Sequence, residues 1–568
     1  MDVQALLTGG SLLILLVGAA LTAPLSFFLI WLYRRAVLRG MNVPAGVTEA
    51  ALPSTAQEPP GHSLRITVVG RATRPAAATG GSRLEREATL SLRRVSLAYA
   101  AGGLAFAALI AGAWSAQAGG GFLSIRLLLR LLLLTLFFAW PIVLALSQLA
   151  ALGWRDRLGY AALYLALSVT VGAVAVLAST NRDPFGLIVL WLDMNGLATL
   201  LLIACLTRRV RAVGPLVLAF MTAGIAGAIM LPLAVGSSEQ ITTGLACVFA
   251  AGGLGGRDLF FGLNLVGFVA LGAAGWGMLR LIGHRYRLKR MSDQSLALDA
   301  MWLLFAVANS VLLAPGGWIW ILAGPAAFFL YKLVLWGAFA RFVRPAAGAH
   351  RPTLLLLRAF SLGPRSLRLF DALAKCWLRV GPITLIAGPD LATGLVEPHE
   401  FLDFLGGRVS RQFVQGREDL ERRMAELDTV PDPDGRYRVS EFFCRSDTWQ
   451  MTMRQLAEGS DAVLMDLRSF SPSNRGCQYE LEQLLDGVPL PRVVMIVDDT
   501  TDRPFLEDTL QSLWQNVPAD SPNRSLQDPE VRLFEAQSGT GTEVRTLLSL
   551  LFGQQRPTAV GQVAGNAD

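Results

Sequence analysis

Residues 460–481 read Ser-Asp-Ala-Val-Leu-Met-Asp-Leu-Arg-Ser-Phe-Ser-Pro-Ser-Asn-Arg-Gly-Cys-Gln-Tyr-Glu-Leu. Ala462–Leu467 is a short, mainly apolar run, and the Ser, Pro and Asn that follow it punctuate a turn. An amphipathic stretch at 476–486 comes next. Strand, polar loop and helix in this order make a β/α unit, and the same alternation recurs on both sides. Apolar runs at Thr353–Leu357, Ile383–Ala387, Val493–Val497 and Val531–Phe534 alternate with amphipathic stretches at 364–378, 447–458, 504–514 and 542–552. Continuous apolar strands separated by helices predict a parallel sheet covered on both faces.

Five such units predict a flavodoxin-like, doubly wound α/β domain over residues 350–553. Residues 395–446 are a long insertion with a strand-like segment of their own, Arg436–Cys444. Ligands of doubly wound sheets bind at the carboxyl ends of the strands. Those ends lead here into Gly388–Gly394 with Asp390, into the loop carrying Ser471, and into Asp498-Asp499.

The rest of the chain has a different character. Of 568 residues, 53% are hydrophobic and only 16% charged, against about 25% charged in soluble domains; mean hydropathy is +0.46. The apolar excess lies between residues 5 and 340, so one body is expected in lipid and another in water. Apolar segments near 8–32, 95–115, 128–150, 159–179, 185–206, 213–235, 259–283, 298–314 and 317–340 each approach the roughly 20 residues that a spanning helix needs. They predict a polytopic α-helical membrane bundle of about nine spans over residues 1–345, with the bilayer as its partner. Residues 241–256 are also apolar, but short and Gly-rich, and read as a re-entrant or interfacial piece.

Arg and Lys set the orientation. The connection 34–94 holds ten Arg, and Arg155, Arg157, Arg208, Arg209, Arg211, Arg285–Arg290, Arg341 and Arg344 fall on the same side. This places that connection and the C-terminal domain in the cytoplasm, with the first span retained rather than cleaved as a signal peptide. Arg126 and Arg130 open the third span on the opposite side and must snorkel or pair. The net charge of +7 is thus explained by topology, and no nucleic-acid partner is expected. Five cysteines without a CxxC pair and four scattered histidines give no metal site and no disulfide framework. Residues 41–63 read as a flexible linker, Leu64–Val69 alternates briefly like a strand, and 554–568 reads as a disordered tail. Within the membrane Asp193 stands mid-span, a functional position by default, with Arg126, Arg130 or Arg280 as pairing candidates.

The soluble part resembles the Toll/interleukin-1 receptor (TIR) domain. Asp390-x-x-Thr393-Gly394 is similar to that family's loop after the second strand, and Ser471-…-Cys477-x-x-Glu480-Leu481 to its motif after the third. The helix Trp449–Gly459 and the run Ser460–Leu464 also fall in family order. The chain departs from the pattern at Gly476, where Trp is usual, at Thr393, where Pro is usual, and in its first strand, which lacks the usual Ser-Tyr and acidic residue. The resemblance implies a bacterial inner-membrane protein acting in signalling or defence as a homo-oligomer, with a nucleotide ligand. It implies no resident cofactor, but NAD as a substrate for hydrolysis, with Glu480 beside the ribose of the nicotinamide bond.

Each site residue has a plainer reading. Glu480 is also an acid near a helix start, favoured by the helix dipole. Asp390, Asp498 and Asp499 could hold ribose hydroxyls, or simply form turns. Trp449 could stack on a base or fill the core, Ser471 and Ser473 could start or cap the next helix, and Cys477 packs inside. Two other function classes stay open: a non-enzymatic membrane adaptor, and a transporter or channel regulated by its soluble domain.

Overall fold

The computed structural model describes residues 3–41, 62–69, 79–117, 125–150, 213–343, 351–358, 364–387, 398–445, 447–536 and 541–552, with scattered positions between 158 and 173. The chain divides into two units. One comprises Met1–Arg35, Arg94–Arg344 and Thr393–Gly407; the other comprises Ala36–Arg93, Pro345–Ala392 and Arg408–Asp568.

Among the described residues, seven helices are long and apolar enough to cross a membrane, and they lie wholly or mostly in the first unit: Ala20–Gly40, Arg86–Gln117, Leu127–Ser147, Gly214–Gly236, Gly256–Arg287, Gln294–Gly316 and Ile319–Val343. These coincide with seven of the nine expected spans. The other two, 159–179 and 185–206, lie largely outside the described residues, and Asp193 with them. Small residues bring helix backbones together. A Cβ on Gly227 would run into the carbonyl oxygen of Gly267, and one on Gly267 into that of Gly227, the close approach that packs helices in lipid. Gly324 meets Ala306 in the same way, beside a clasp in which the Ser310 hydroxyl donates to the Ile321 carbonyl (2.7 Å) and accepts from Gly324 N–H (3.2 Å). Between these contacts Tyr99, Phe106, Trp140, Trp302, Phe305 and Tyr331 form a buried aromatic core. The short apolar piece near 241–256 is a helix, Glu239–Ala251, with no buried residue.

The helix Pro398–Leu405, from the insertion in the soluble sequence, belongs to this first unit. Phe404 packs edge-on against Tyr33 (5.5 Å), whose hydroxyl reaches Glu400 at 3.4 Å.

The second unit holds a seven-stranded, all-parallel sheet: β1 (Arg65–Val69), β2 (Leu354–Arg358), β3 (Ile383–Ala387), β4 (Val439–Phe443), β5 (Ala462–Asp466), β6 (Val493–Val497) and β7 (Glu530–Glu535). Their order is β1-β7-β6-β5-β2-β3-β4. Every residue of β5 and β6 is buried, as apolar strands covered on both faces must be. Helices Pro364–Trp377, Trp449–Gly459, Arg475–Gly487, Arg503–Gln515 and Gly541–Phe552 lie between or after the strands as expected. Five strands were expected, and the sheet has two more. The insertion adds β4 beside β3, and the brief alternation at 64–69 becomes β1, paired with β7 in the register Arg65↔Glu530 to Val69↔Phe534. Side chains hold the approach to β1: Trp514 Nε1 donates to the His62 carbonyl (2.8 Å) and Gln511 Nε2 to that of Leu64 (3.0 Å).

Candidate functional site

Chain order reverses between β2 and β5. β2 sits beside β5, while the connection from β2 runs outward to β3. At such a switch point the loops leaving the strand ends diverge and open a crevice. The register places Arg358, at the end of β2, opposite Asp466, at the end of β5. The Asp466 carboxylate is forked by Arg468, with Nε to Oδ1 at 2.8 Å and Nη2 to Oδ2 at 2.6 Å, and both side chains are about nine-tenths buried. The pattern of apolar residues hides this pair, since Asp466 falls inside an apolar run; an acid and a base two apart at a strand end were the available signal.

Beyond the pair, the β5 and β6 loops are stitched together. Ser469 adopts the left-handed conformation (φ 62°) and donates its backbone N–H to Thr500 Oγ1 at 3.0 Å. The Thr501 hydroxyl donates to the Leu467 carbonyl (3.0 Å), and Asp502 N–H to that of Phe470 (3.0 Å). Asp498 accepts from Thr500 N–H at 2.9 Å, which closes an Asx turn. Asp499 beside it is exposed. Ser471 accepts nothing from the following helix: its N–H and hydroxyl both engage Asn474 Oδ1 at 2.9 Å, making Asn474 the hub of the turn. Trp449 is half-buried against the core and meets Tyr479 edge-on at 5.3 Å. Asp390 lies outside the described residues.

Glu480 stands apart from these. It lies in the helix Arg475–Gly487, on the buried face that also carries Cys477, Leu481 and Leu484, about 7.5 Å along the axis from the helix start at 1.5 Å per residue. Its side chain is 5% exposed, and Oε2 has no hydrogen-bond partner among the described residues. Burial alone pushes its carboxyl up to about 8, so at neutral pH it holds its proton. Two neighbours on the same helix are shifted upward for mixed reasons. Asp486 rises to about 6 through burial and the nearby charges of Glu482 and Asp520, and Glu482 rises through partial burial, offset by Arg454. Cys477 is fully buried. Among the described residues no group of three or more His, Cys, Asp or Glu is placed to hold a metal ion.

No protein-family model matches this chain, and no curated protein or solved structure matches it significantly. A protonated carboxyl in an apolar setting donates a hydrogen bond, or ionises when a cation arrives to replace the missing counter-charge.

Proposed function

We propose that the chain is a multi-pass inner-membrane protein presenting a TIR-like, flavodoxin-like domain to the cytoplasm, and that this domain binds NAD and hydrolyses its nicotinamide bond. Supporting the fold part is the strand order: with β1 and β4 set aside, β3-β2-β5-β6-β7 is the 2-1-3-4-5 order of flavodoxin-like sheets. The observation that carries the function is Glu480, a buried carboxyl with no counter-charge among the described residues. The nicotinamide ring of NAD is a cation. Brought against Glu480, it favours the carboxylate, and that carboxylate then stabilises the oxocarbenium character that develops on the ribose as the bond breaks.

A second reading, a non-catalytic assembly module, is favoured by one observation: the polar groups of Ser471 and Asp498 are engaged in the turns of their own loops. The test is NAD turnover by full-length protein in nanodiscs beside Glu480→Gln. Nicotinamide release by wild type, reduced at least a hundredfold in the variant, supports catalysis. Equal release by both refutes the role of Glu480, and no release by either favours the assembly module.

A further inference from the structure

Inside the helical bundle, Lys332 Nζ lies 2.6 Å from Asp299 Oδ2. Lys332 is near the middle of the candidate span Ile319–Val343, and Asp299 lies in Gln294–Gly316. Asp299 is the one buried carboxylate among the described residues of the seven candidate spans. Ionisable groups at such positions are costly in lipid and are associated with function.

The pair is not closed on itself. Asp299 Oδ1, Trp302 Nε1 and Tyr331 Oη are all buried; the Tyr331 hydroxyl lies against the Asp299 carboxylate, and Trp302 Nε1 has no hydrogen-bond partner among the described residues. They belong together. Trp302 follows Asp299 by three residues on the same helix face, the Trp302 and Tyr331 rings stack obliquely at 5.3 Å, and Tyr331 precedes Lys332. Gly102 and Gly103 let the neighbouring helix press onto both rings, since a Cβ there would come within 3.0 Å of Tyr331 and 2.8 Å of Trp302. A buried N–H left unmatched beside a carboxylate and a hydroxyl with spare acceptor capacity is what an internal water satisfies.

We propose that Asp299, Trp302, Tyr331 and Lys332 form a water-holding, proton-exchanging site, and that the bundle passes protons through it. The charged and titratable groups facing Asp299 are Lys332 and Tyr331 from one helix, and Tyr99 faces Tyr331 from another. In the exchange a hydronium proton adds to the Asp299 carboxylate, leaving a neutral acid and a water, and the reverse step returns it. No oxidant or co-reactant is involved. The Lys332 ammonium occupies the place a metal cation would take, so the site is built for protons rather than sodium or potassium. Asp299 is the more buried partner, with its side chain 10% exposed, against 40% for Lys332.

The test reconstitutes the full-length protein in liposomes containing a pH-sensitive dye and applies a potassium diffusion potential with valinomycin. Wild type is expected to acidify the lumen faster than protein-free vesicles, and Asp299→Asn to lose that rate at least tenfold. Tyr331→Phe keeps the ring packing and serves where Asp299→Asn misfolds; it is expected to slow the flux at least threefold. Wild-type flux equal to that of empty vesicles overturns the proposal, as does full flux in the double variant Asp299→Asn/Lys332→Met.

Discussion

Glu480→Gln separates a buried neutral acid from a solvated carboxylate without any substrate. In the folded chain the carboxyl titrates near 8, against 4.5 when unfolded. Between these values the native state holds a proton that the unfolded state has released, so native protein binds more protons and stability falls as pH rises. Each unit of difference is worth about 1.4 kcal/mol. The span from 4.5 to about 8 therefore costs on the order of 5 kcal/mol once pH exceeds 8, and roughly 3 kcal/mol at pH 7. Below pH 4.5 the cost vanishes. Glutamine keeps the shape and cannot ionise, so the variant is expected to match wild type near pH 4.5 and to exceed it progressively toward pH 8. The assay is hydrogen exchange by mass spectrometry on the full-length protein in nanodiscs, following amides of β5 and β6. Comparison at equal pH cancels the intrinsic exchange rate. A difference between variant and wild type that stays constant from pH 5 to pH 8 would instead mean that Glu480 is ionised in the fold or open to water.

Three further outcomes are expected. Arg468→Ala leaves Asp466 as a buried, unpaired carboxylate, which costs about 3–5 kcal/mol; denaturation of the α/β unit should shift accordingly, and adding Asp466→Asn should recover part of the loss. Gly227→Leu forces a side chain into the Gly267 carbonyl, an overpacking worth about 1–3 kcal/mol, seen as a lower midpoint of thermal unfolding in detergent while Gly277→Leu, which meets open space, leaves it unchanged. Burial pushes the Cys444 thiol up to about 11 and Cys477 is fully buried, so neither should be alkylated by iodoacetamide at pH 8 in the native protein, whereas both should react in denaturant, as peptide mass spectrometry would read.

Much of this architecture is legible because burial writes it into the sequence. β5 and β6 are covered on both faces, so their residues form continuous apolar runs with helices between them, and the spans are apolar because lipid requires it. What stays hidden is set by partners far along the chain. β1 is five residues of half-exposed edge, and nothing near Arg65–Val69 announces a pairing with Glu530–Phe534. Pro398–Leu405 reads as part of a soluble insertion, and partners far along the chain, Tyr33 and the helix Gly256–Arg287 with Gly283 against Leu402, make it a member of the bundle's unit.

The charged residues show the same divide. Asp193 draws attention in the sequence because apolar residues flank it, whereas Asp299 follows Ser292-Asp293-Gln294-Ser295 and reads as an ordinary acid in the first turns of a helix. Pairing with Lys332 across the helix contact turns it into an interior group. Glu480 is the converse case. Its position after the Ser471 loop marks it in the sequence, but its protonation does not follow from position. It follows from Cys477, Leu481 and Leu484 lying on the same buried face, with no cation among the described residues to offset burial. An acid kept neutral in this way lowers the stability of its own fold at neutral pH. A cationic ligand that restores its charge would therefore bind and stabilise the domain together, so a rise in thermal stability with NAD that is lost in Glu480→Gln would link the carboxyl to the ligand even without turnover.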